Sequence, residues 1–316
     1  MSQTKTLVTG AAGFSGRFLL QHLRQVAPEL AILAVDLKFP SQGRIQGVKY
    51  QTLDVTKSQV MKSFIARHRP AYIYHLAGVI FCDRPMLYYE VNIAGTINLL
   101  EAVLSVGKSY QPAILNVGSA AEYGLISPDD LPIREDCDKH PISFYGNSKL
   151  AEDLISYQYH LRHNLRTVRG RPFNIIGPGQ PEAFVCGSIA RQFAMALKCK
   201  GKAVIRVGNL DSERDFVDIR DVVSAYHALA HSGAWGEAFN IATGRAASVR
   251  SVIEILKEEF NPPKIKVMSQ PRLRRKTDIP RHFADIQKIQ NRIGWNPKYS
   301  LAQSLRDMVE TSLRAL

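Results

Sequence analysis

Apolar, β-rich runs alternate with longer segments of helical pattern through the first half of the chain. Leu, Ile and Ala recur at three- and four-residue spacing in the longer segments, which predicts helices with one buried face. The strand-like runs are Thr6–Thr9, Ile32–Asp36, Lys49–Asp54, Tyr72–Ala77 and Ile114–Ser119, and the helical segments are Phe14–Val26, Lys57–Arg67, Leu87–Val106 and Ser143–His163. This alternation predicts an α/β fold, a doubly wound parallel sheet with helices on both faces.

The alternation breaks after Arg169, where residues 170–182 are rich in Gly and Pro. A helix over Val185–Lys198 follows with short strands, and Phe216–His231 and Ala238–Thr243 then resemble a helix and a strand of the main sheet. We therefore predict a smaller α/β substrate-binding lobe interleaved with the first. The predicted division is 1–169 plus about 216–247 for the sheet domain, and 170–215 plus 248–316 for the lobe.

Composition and charge narrow the classes of protein. The chain has 316 residues, 45% of them apolar, which is ample for a buried core and excludes a disordered protein. Its formal charge of +13 calls for an anionic partner, and nucleic acid, membrane phosphate and a diphosphate substrate all qualify. One tight basic cluster fits either a solvated surface turn or a phosphate contact. It comprises Arg272, Arg274, Arg275 and Lys276.

Cysteine spacing and the amino-terminal sequence bear on location. The four cysteines are far apart, so neither a disulfide framework nor a metal site is predicted. The first strand-like run begins almost at Met1 without an apolar leader, and no run has transmembrane length. We expect a cytoplasmic protein without a membrane partner.

A glycine loop follows the first predicted strand and opens the first predicted helix. Gly10 permits a tight turn, Gly13 lets the backbone approach a pyrophosphate, and Gly16 allows close packing of the helix. Phe14 and Ser15 stand at the helix N-terminus, where negative charge is stabilised. These residues predict a Rossmann site for NAD or NADP.

Two carboxylates follow later strands of the predicted sheet. Asp36 ends the second strand, where it can accept hydrogen bonds from the adenosine ribose, which favours NAD. Lys38 can pair with a 2′-phosphate instead, so NADP stays open. Asp54 and Val55 are predicted to flank the adenine, although Asp54 also suits a helix cap before Thr56.

A phenol and an ammonium lie four residues apart at Tyr145 and Lys149, hence on one face of a helix. A nearby cation lowers a phenol pKa, and such a tyrosine can act as acid or base while a nicotinamide exchanges hydride. Ser119 ends the fifth predicted strand at the carboxyl edge of the sheet, where its hydroxyl can bind a substrate oxygen. We predict these three as catalytic residues.

Together these residues resemble the extended short-chain dehydrogenase/reductase family, whose members modify nucleotide sugars. The resemblance spans nearly the whole chain. Further matching motifs are His75 to Gly78, Val91 to Thr96, Arg171 to Asn174, Gly177 to Gly179 and Arg214 to Phe216.

The resemblance implies roles for five further residues. Ala77 and Gly78 would line the cofactor path, and Asn92 would lie near the catalytic residues. Asn174 and Arg214 would contact a substrate diphosphate, which suits the bidentate guanidinium. The alternative for Arg214 is an ion pair with a neighbouring aspartate, Asp215 or Asp218.

The segment after Ser119 bears on the reaction. In relatives that dehydrate the sugar, the positions of Ala120 and Ala121 carry an acid and a base, and relatives that epimerise at C3 and C5 have a cysteine at Ala121. Alanine can do neither chemistry. Reduction of a keto-sugar or 4-epimerisation remains, and Glu122 is interpreted as structural or as substrate-binding.

Substrate expectations come from the second lobe. Its segments Gly208 to Asp211 and Glu182 to Val185 resemble the GDP-sugar branch of the family, which marks Asn209 and Val185 as substrate contacts. Arg275 fits an Arg-x-x-Asp element of that branch, although Lys276 replaces the usual Pro.

The resemblance thus implies NAD(P)H-dependent reduction of the C4 ketone of a GDP-4-keto-6-deoxyhexose. A 4-epimerase and a non-catalytic dinucleotide-binding protein are the alternatives. No nucleic-acid partner is expected. Relatives pair the helices at Leu87–Val106 and Ser143–His163 into a dimer interface, so a homodimer is predicted, although the apolar residues there also suit packing on the sheet. Those residues are Leu99, Leu100, Val103, Leu154 and Ile155.

Overall fold

The computed structural model describes residues 3–199, 203–262, 265–273 and 279–316. The strands are β1 Lys5–Thr9, β2 Ala31–Asp36, β3 Val48–Thr52, β4 Tyr72–His75, β5 Ala113–Val117, β6 Thr167–Pro172, β7 Asn174–Ile176, β8 Ala203–Val207, β9 Glu213–Arg214, β10 Phe216–Asp218, β11 Ala238–Ile241, β12 Ala247–Ser248, β13 Ile265–Ser269 and β14 Arg281–His282. The helices are α1 Phe14–Val26, α2 Ser58–His68, α3 Pro85–Tyr88, α4 Gly95–Ser105, α5 Phe144–His163, α6 Val185–Lys198, α7 Ile219–His231, α8 Val249–Phe260, α9 Gln287–Ile293 and α10 Leu301–Arg314.

A parallel sheet dominates the described part of the chain, with seven strands in the order β11-β6-β5-β4-β1-β2-β3. The order reverses between β1 and β4, and ligands of doubly wound sheets bind at that crevice, beyond the carboxyl ends of the strands. The predicted doubly wound Rossmann fold is confirmed.

Two apolar cores cover the two faces of this sheet. Adjacent residues of β1 pack into different cores, because successive side chains of a strand point to opposite faces of the sheet. Leu7 packs with α2 and α4, whereas Val8 packs with α1 and α7. Both side chains are fully buried. The helices are therefore held on both faces by alternation within single strands.

A further core lies in the carboxy-terminal half, where α6, α8, α10 and β8 bury Phe193, Ile253 and Met308. It accompanies short sheets that pair β7 with β10, β8 with β13, and β9 with β12 and β14. The predicted lobe boundaries stay a prediction. The boundary at residue 169 falls inside β6. This strand was not predicted because its sequence contains two arginines, a glycine and a proline, which are not typical of an interior strand.

The helix expected over Leu87–Val106 is interrupted by a π-helical turn, Tyr89–Ala94, between α3 and α4. Such turns often mark functional sites, because they re-aim a side chain from within a helix. The turn contains the fully buried Asn92. Among the described residues, no helix is long and apolar enough to span a membrane. The cytoplasmic location stays a prediction.

Candidate active site

The glycine loop between β1 and α1 has the geometry of a dinucleotide cradle. Gly10 has a φ of +66°, and a Cβ there would lie 2.6 Å from the carbonyl carbon of Leu76. A Cβ on Gly16 would collide with the Gly10 carbonyl oxygen and lie 2.7 Å from the Ala11 Cα. Gly13 is the N-cap of α1 and no side chain caps it in the described chain, which leaves helix amides for an anion. The loop therefore fits NAD(P), with Phe14 and Ser15 in the first turn.

The two strand-end carboxylates are engaged by backbone amides. Asp36 accepts hydrogen bonds from the Ala12 amide at 2.9 Å and the Leu37 amide at 2.7 Å, so it ties the glycine loop to the end of β2. Asp54 accepts from the amide and hydroxyl of Thr56, at 2.9 and 2.7 Å. Asp54 thus closes a turn at Thr56 and is not the helix cap considered as its alternative, because the N-cap of α2 is Lys57. The ribose and adenine contacts stay predictions.

Val55 and the loop after β4 line the same edge of the sheet. Val55 is buried against Gly95 of α4, where a Cβ would lie 2.8 Å from a Val55 methyl carbon. Ala77 is held by its amide, which donates to the Thr9 hydroxyl at 3.2 Å. Gly78 lies against Asn92, since a Cβ there would approach the Asn92 Oδ1 to 3.2 Å.

Asn92 joins this loop to the helix that carries the phenol. Its Oδ1 accepts from the Val79 amide at 2.8 Å, and its Nδ2 donates to the Val79 carbonyl at 3.2 Å and to the Ser148 hydroxyl at 2.9 Å. Ser148 in turn donates to the Tyr145 carbonyl at 2.8 Å. The expected place of Asn92 near the catalytic helix is therefore explained by a continuous hydrogen-bond chain.

Ser119 and Glu122 form a capping box on the short 3₁₀ turn Ala120–Glu122. The Ser119 hydroxyl accepts from the Ala121 amide at 3.1 Å, and the Glu122 Oε1 accepts from the Ser119 amide at 2.7 Å. The other Glu122 oxygen lies 3.0 Å from the Arg171 Nε, and the side chain is fully buried. Glu122 therefore has a structural role in this capping box, and its contact with substrate stays a prediction.

The phenol and ammonium predicted from the sequence come together on α5. Burial raises the pKa of the Tyr145 phenol above its usual value, and the Lys149 charge and a hydrogen bond with Ser119 lower it only partly back. The expected lowering of the Tyr145 pKa by the Lys149 charge is present, but desolvation outweighs it and the net shift of the pKa is upward. Tyr145 is thus a protonated phenol at neutral pH, as a proton donor requires.

Buried charges behind this site escaped sequence analysis. Lys149 donates to the Glu152 Oε2 at 2.5 Å, with the carboxylate fully buried. Asp153 accepts from Arg169 at 2.6 Å and from Arg171 at 2.8 and 3.2 Å. The sequence did hold one indication of this network. Arg169 and Arg171 are two residues apart in an otherwise uncharged segment, a spacing that puts both side chains on one face of a strand. These contacts lock α5 onto β6.

His75, at the end of β4, is a buried neutral histidine that predicts acid sensitivity. It is hydrogen-bonded to Thr9 at 2.8 Å and Thr96 at 3.0 Å, and burial, with the charge of Lys149, lowers its pKa to about 3. An unfolded histidine takes up a proton near pH 6.5. The stability it contributes is therefore full above pH 6.5 and is lost as the pH falls toward 3, by on the order of 5 kcal/mol. Urea unfolding across this range measures the loss.

The matched variants are His75→Gln and His140→Gln, the second at an exposed histidine. We expect the pH dependence of unfolding free energy between pH 6.5 and 3 to flatten in the first and to match wild type in the second. Equal slopes in wild type and His75→Gln would show that His75 does not carry the effect.

The predicted substrate residues lie on several short elements. Asn174 on β7 donates to the Asp215 carbonyl at 3.3 Å, and Arg214 on β9 donates to the carbonyls of Glu213 and Ile279, at 2.8 and 2.6 Å. Val185 begins α6 as an exposed residue, and the Asn209 Oδ1 accepts from the Asp211 amide at 3.1 Å.

Aspartates near Arg214 receive hydrogen bonds from other groups. Asp215 accepts from Thr243 and Gly244, and Asp218 accepts from Arg220 and Ser304. Arg275 lies outside the described residues, as do Arg274 and Lys276 of the basic cluster. The diphosphate contacts of this lobe stay predictions.

Comparison with known proteins agrees with this geometry. The family model described as GDP-mannose 4,6 dehydratase matches residues 7–308. The GDP-6-deoxy-D-mannose reductase of Pseudomonas aeruginosa is 29% identical over 306 residues, which cover 96% of this chain and 95% of that protein. The solved structure of RMD from the same organism, complexed with NADPH, has a TM-score of 0.85 at 28% identity, covering 99% of this chain and 100% of that one.

A second solved structure, the UDP-glucose 4-epimerase of Thermus thermophilus in complex with NAD, superposes equally well. It has a TM-score of 0.85 at 25% identity and covers 99% of this chain and 100% of that one. The family model spans most of the chain, and the parallel sheet agrees with the fold of the solved relatives. The chain therefore belongs to the GDP-mannose 4,6-dehydratase family of NAD(P)-dependent nucleotide-sugar enzymes within the extended short-chain dehydrogenases/reductases.

Proposed function

We propose that this protein reduces the C4 ketone of a GDP-4-keto-6-deoxyhexose, giving a GDP-rhamnose-type product. The observation that carries the proposal is that the site has a proton donor, Tyr145, without the acid and base that a dehydratase needs for elimination. Tyr145 is a protonated phenol bonded to Ser119, whereas Ala120 and Ala121 put methyl groups where a dehydratase needs an acid and a base. Ketone reduction requires one hydride and one proton and nothing further.

The chain's own residues supply the proton and hold the reactants. Bound NAD(P)H supplies the hydride. Ser119 donates a hydrogen bond to the ketone oxygen, and Tyr145 transfers its phenolic proton to that oxygen as it becomes an alkoxide. Lys149 holds the nicotinamide ribose with its remaining donors and stabilises the phenolate that forms. Asn174 and Arg214, with Arg275, bind the diphosphate.

Elimination chemistry is disfavoured although the family model bears a dehydratase's name. A 4,6-dehydratase removes a C5 proton and protonates the departing C6 hydroxyl. Glu122 follows the two alanines directly, but its side chain is fully buried and accepts a hydrogen bond from the Ser119 amide. It is therefore unavailable as a substitute for the missing base.

A nucleotide-sugar 4-epimerase is the second candidate, because a UDP-glucose 4-epimerase shares this fold over the whole chain. An epimerase first oxidises its substrate and so begins with Tyr145 as a base. The raised Tyr145 pKa fits a donor role, which an epimerase needs only in its second, reducing half-reaction. Purified protein with GDP-4-keto-6-deoxymannose and NADH or NADPH decides between them. Loss of reduced-nicotinamide absorbance in step with ketone loss supports the reductase. Interconversion of 4-epimers without net cofactor consumption would overturn it.

We further propose a homodimer formed through α5. Leu99, Leu100 and Val103 of α4 are fully buried within the subunit, so for them the sheet-packing alternative is correct. On α5, Leu154 and Leu161 are 53% and 63% exposed and lie seven residues apart, hence on one face. Such a face suits a two-fold contact between identical helices.

Light scattering tests the dimer. The double variant Leu154→Glu with Leu161→Glu is expected to have the mass of one chain, whereas wild type and the control Val60→Glu, at an exposed position of α2, have twice that mass. A dimer that persists in the double variant would place the interface elsewhere.

A further inference from the structure

A row of three functional side chains runs along one face of α5. Tyr145, Lys149 and Glu152 occupy positions i, i+4 and i+7, which lie above one another on successive helical turns. The Lys149 Nζ is 2.5 Å from the Glu152 Oε2. Lys149 therefore sits between the phenol on one side and a carboxylate on the other.

This carboxylate takes no part in the proton transfer itself. Glu152 is fully buried, and besides Lys149 the side chain of Asn116 on β5 is a hydrogen-bonding neighbour of its carboxylate. An ionised carboxyl is costly to bury unless a cation compensates it, and Lys149 is the cation within contact. The two residues therefore depend on each other, because neither charge would be stable at this buried position alone.

We propose that Glu152 is a positioning residue that fixes the Lys149 ammonium from the turn beyond it and neutralises part of its charge, so that Tyr145 retains its proton until the ketone is bound. A carboxylate in contact with an ammonium reduces the positive field that the ammonium exerts on a third group. The directions agree: the charge of Glu152 raises the pKa of Tyr145, and that of Lys149 lowers it. The use of this proton in ketone reduction rests on the proposed function, whereas its retention does not.

Other charged and titratable groups surround the three residues and also affect their pKa values. Glu122 raises the Tyr145 pKa, Asp153 faces Glu152, and Lys149 faces His75 of β4. The remaining groups are Arg169 and Arg171 of β6, bonded to Asp153, Tyr226 of α7, facing Tyr145, and Lys139, facing Glu122 and Asp153. Asp153 has two guanidinium partners, and Glu122 acts on Lys149 only through its charge, whereas Glu152 is in contact with Lys149.

The proton balance of the step is simple. During reduction the phenolic O–H bond of Tyr145 breaks and a new O–H bond forms on the product oxygen, while hydride from NAD(P)H forms the C4–H bond. The phenolate left behind is stabilised by Lys149 and is reprotonated from solvent. Removing the Glu152 charge strengthens the Lys149 field, and the phenol should ionise at lower pH.

The test titrates Tyr145 directly, without substrate. Tyrosine labelled at its ring carbons is followed by NMR in the NAD-saturated protein, and the Tyr145 signal is assigned by its loss in Tyr145→Phe. Glu152→Gln retains an oxygen that can accept from Lys149 and removes the charge, so we expect ionisation of Tyr145 to move down by roughly one pH unit. Glu152→Asp, with a longer contact, should fall between Gln and wild type.

A matched control is Glu254→Gln, which removes the same charge from an exposed i,i+3 pair with Lys257 on α8 and should leave the titration unchanged. A Tyr145 titration that is unchanged or moves up in Glu152→Gln would overturn the proposal. If that variant does not fold, an unchanged titration in Glu152→Asp overturns it equally. Failure of the protein to reduce the GDP-keto-sugar would leave the titration result intact and would count only against the proposed function.

Discussion

Replacing Tyr145 by Phe is expected to lower kcat/KM for ketone reduction by ~10²-fold or more, with little change in cofactor affinity. The substitution removes the hydroxyl that we propose gives its proton to the substrate oxygen and keeps the ring that packs near Tyr88, 6.4 Å between centroids. Steady-state kinetics together with cofactor titration measure the two quantities separately.

The control for that experiment is Tyr72→Phe, the same change at the start of β4, on the sheet edge opposite the carboxyl ends. It should leave kcat/KM within about two-fold, as expected of a substitution outside the site. A Tyr145→Phe enzyme with undiminished activity would remove this residue from the mechanism and would favour a water or Ser119 as the proton source.

Asp153→Asn is expected to destabilise the protein by about 3–5 kcal/mol, since it leaves two buried guanidinium groups without their shared anion. Asp153 is fully buried, and although burial raises its pKa, Arg171 and Arg169 hold the pKa below its usual value. Asparagine keeps the shape but supplies one neutral oxygen for both arginines. Urea unfolding measures the change in free energy.

Asp136→Asn is the surface control, because Asp136 pairs with Arg134 at 3.1 Å with both side chains largely exposed. Its expected cost is under about 1 kcal/mol. A similar small cost at Asp153 would mean that solvent reaches the network and that α5 is held to β6 by apolar packing alone.

The sheet and the cofactor cradle could be predicted from the sequence because their signals are local. Buried parallel strands read as short apolar runs, and glycines at 10, 13 and 16 follow the first of these directly. β6 escaped the same analysis because Arg169, Gly170 and Arg171 are not typical strand residues. Their burial depends on Asp153, which lies 16 and 18 residues earlier, and no local pattern reveals such a partner.

The candidate site shows the same limit. The spacing of Tyr145 and Lys149 predicts that they share a face, and the structure places them so. The lowering effect of Lys149 on the Tyr145 pKa could be predicted, but the net upward shift could not, because the sequence displays the cation at i+4 and not the surrounding desolvation. The sequence did not decide between a structural and a substrate-binding role for Glu122. Its hydrogen bond with the Ser119 amide forms only within a three-residue turn, and its contact with Arg171 of β6 is distant in the sequence.

The most direct test of the central claim follows the hydride. The protein is incubated with GDP-4-keto-6-deoxymannose and with NADH or NADPH that carries deuterium at the transferring position, and the nucleotide sugar is analysed by mass spectrometry and NMR. We predict one deuterium at C4 of the product for each cofactor oxidised, and loss of this labelling in Tyr145→Phe. Recovery of unlabelled keto-sugar with no cofactor oxidised, alongside conversion of a 4-hydroxy nucleotide sugar into its 4-epimer, would contradict the reductase assignment.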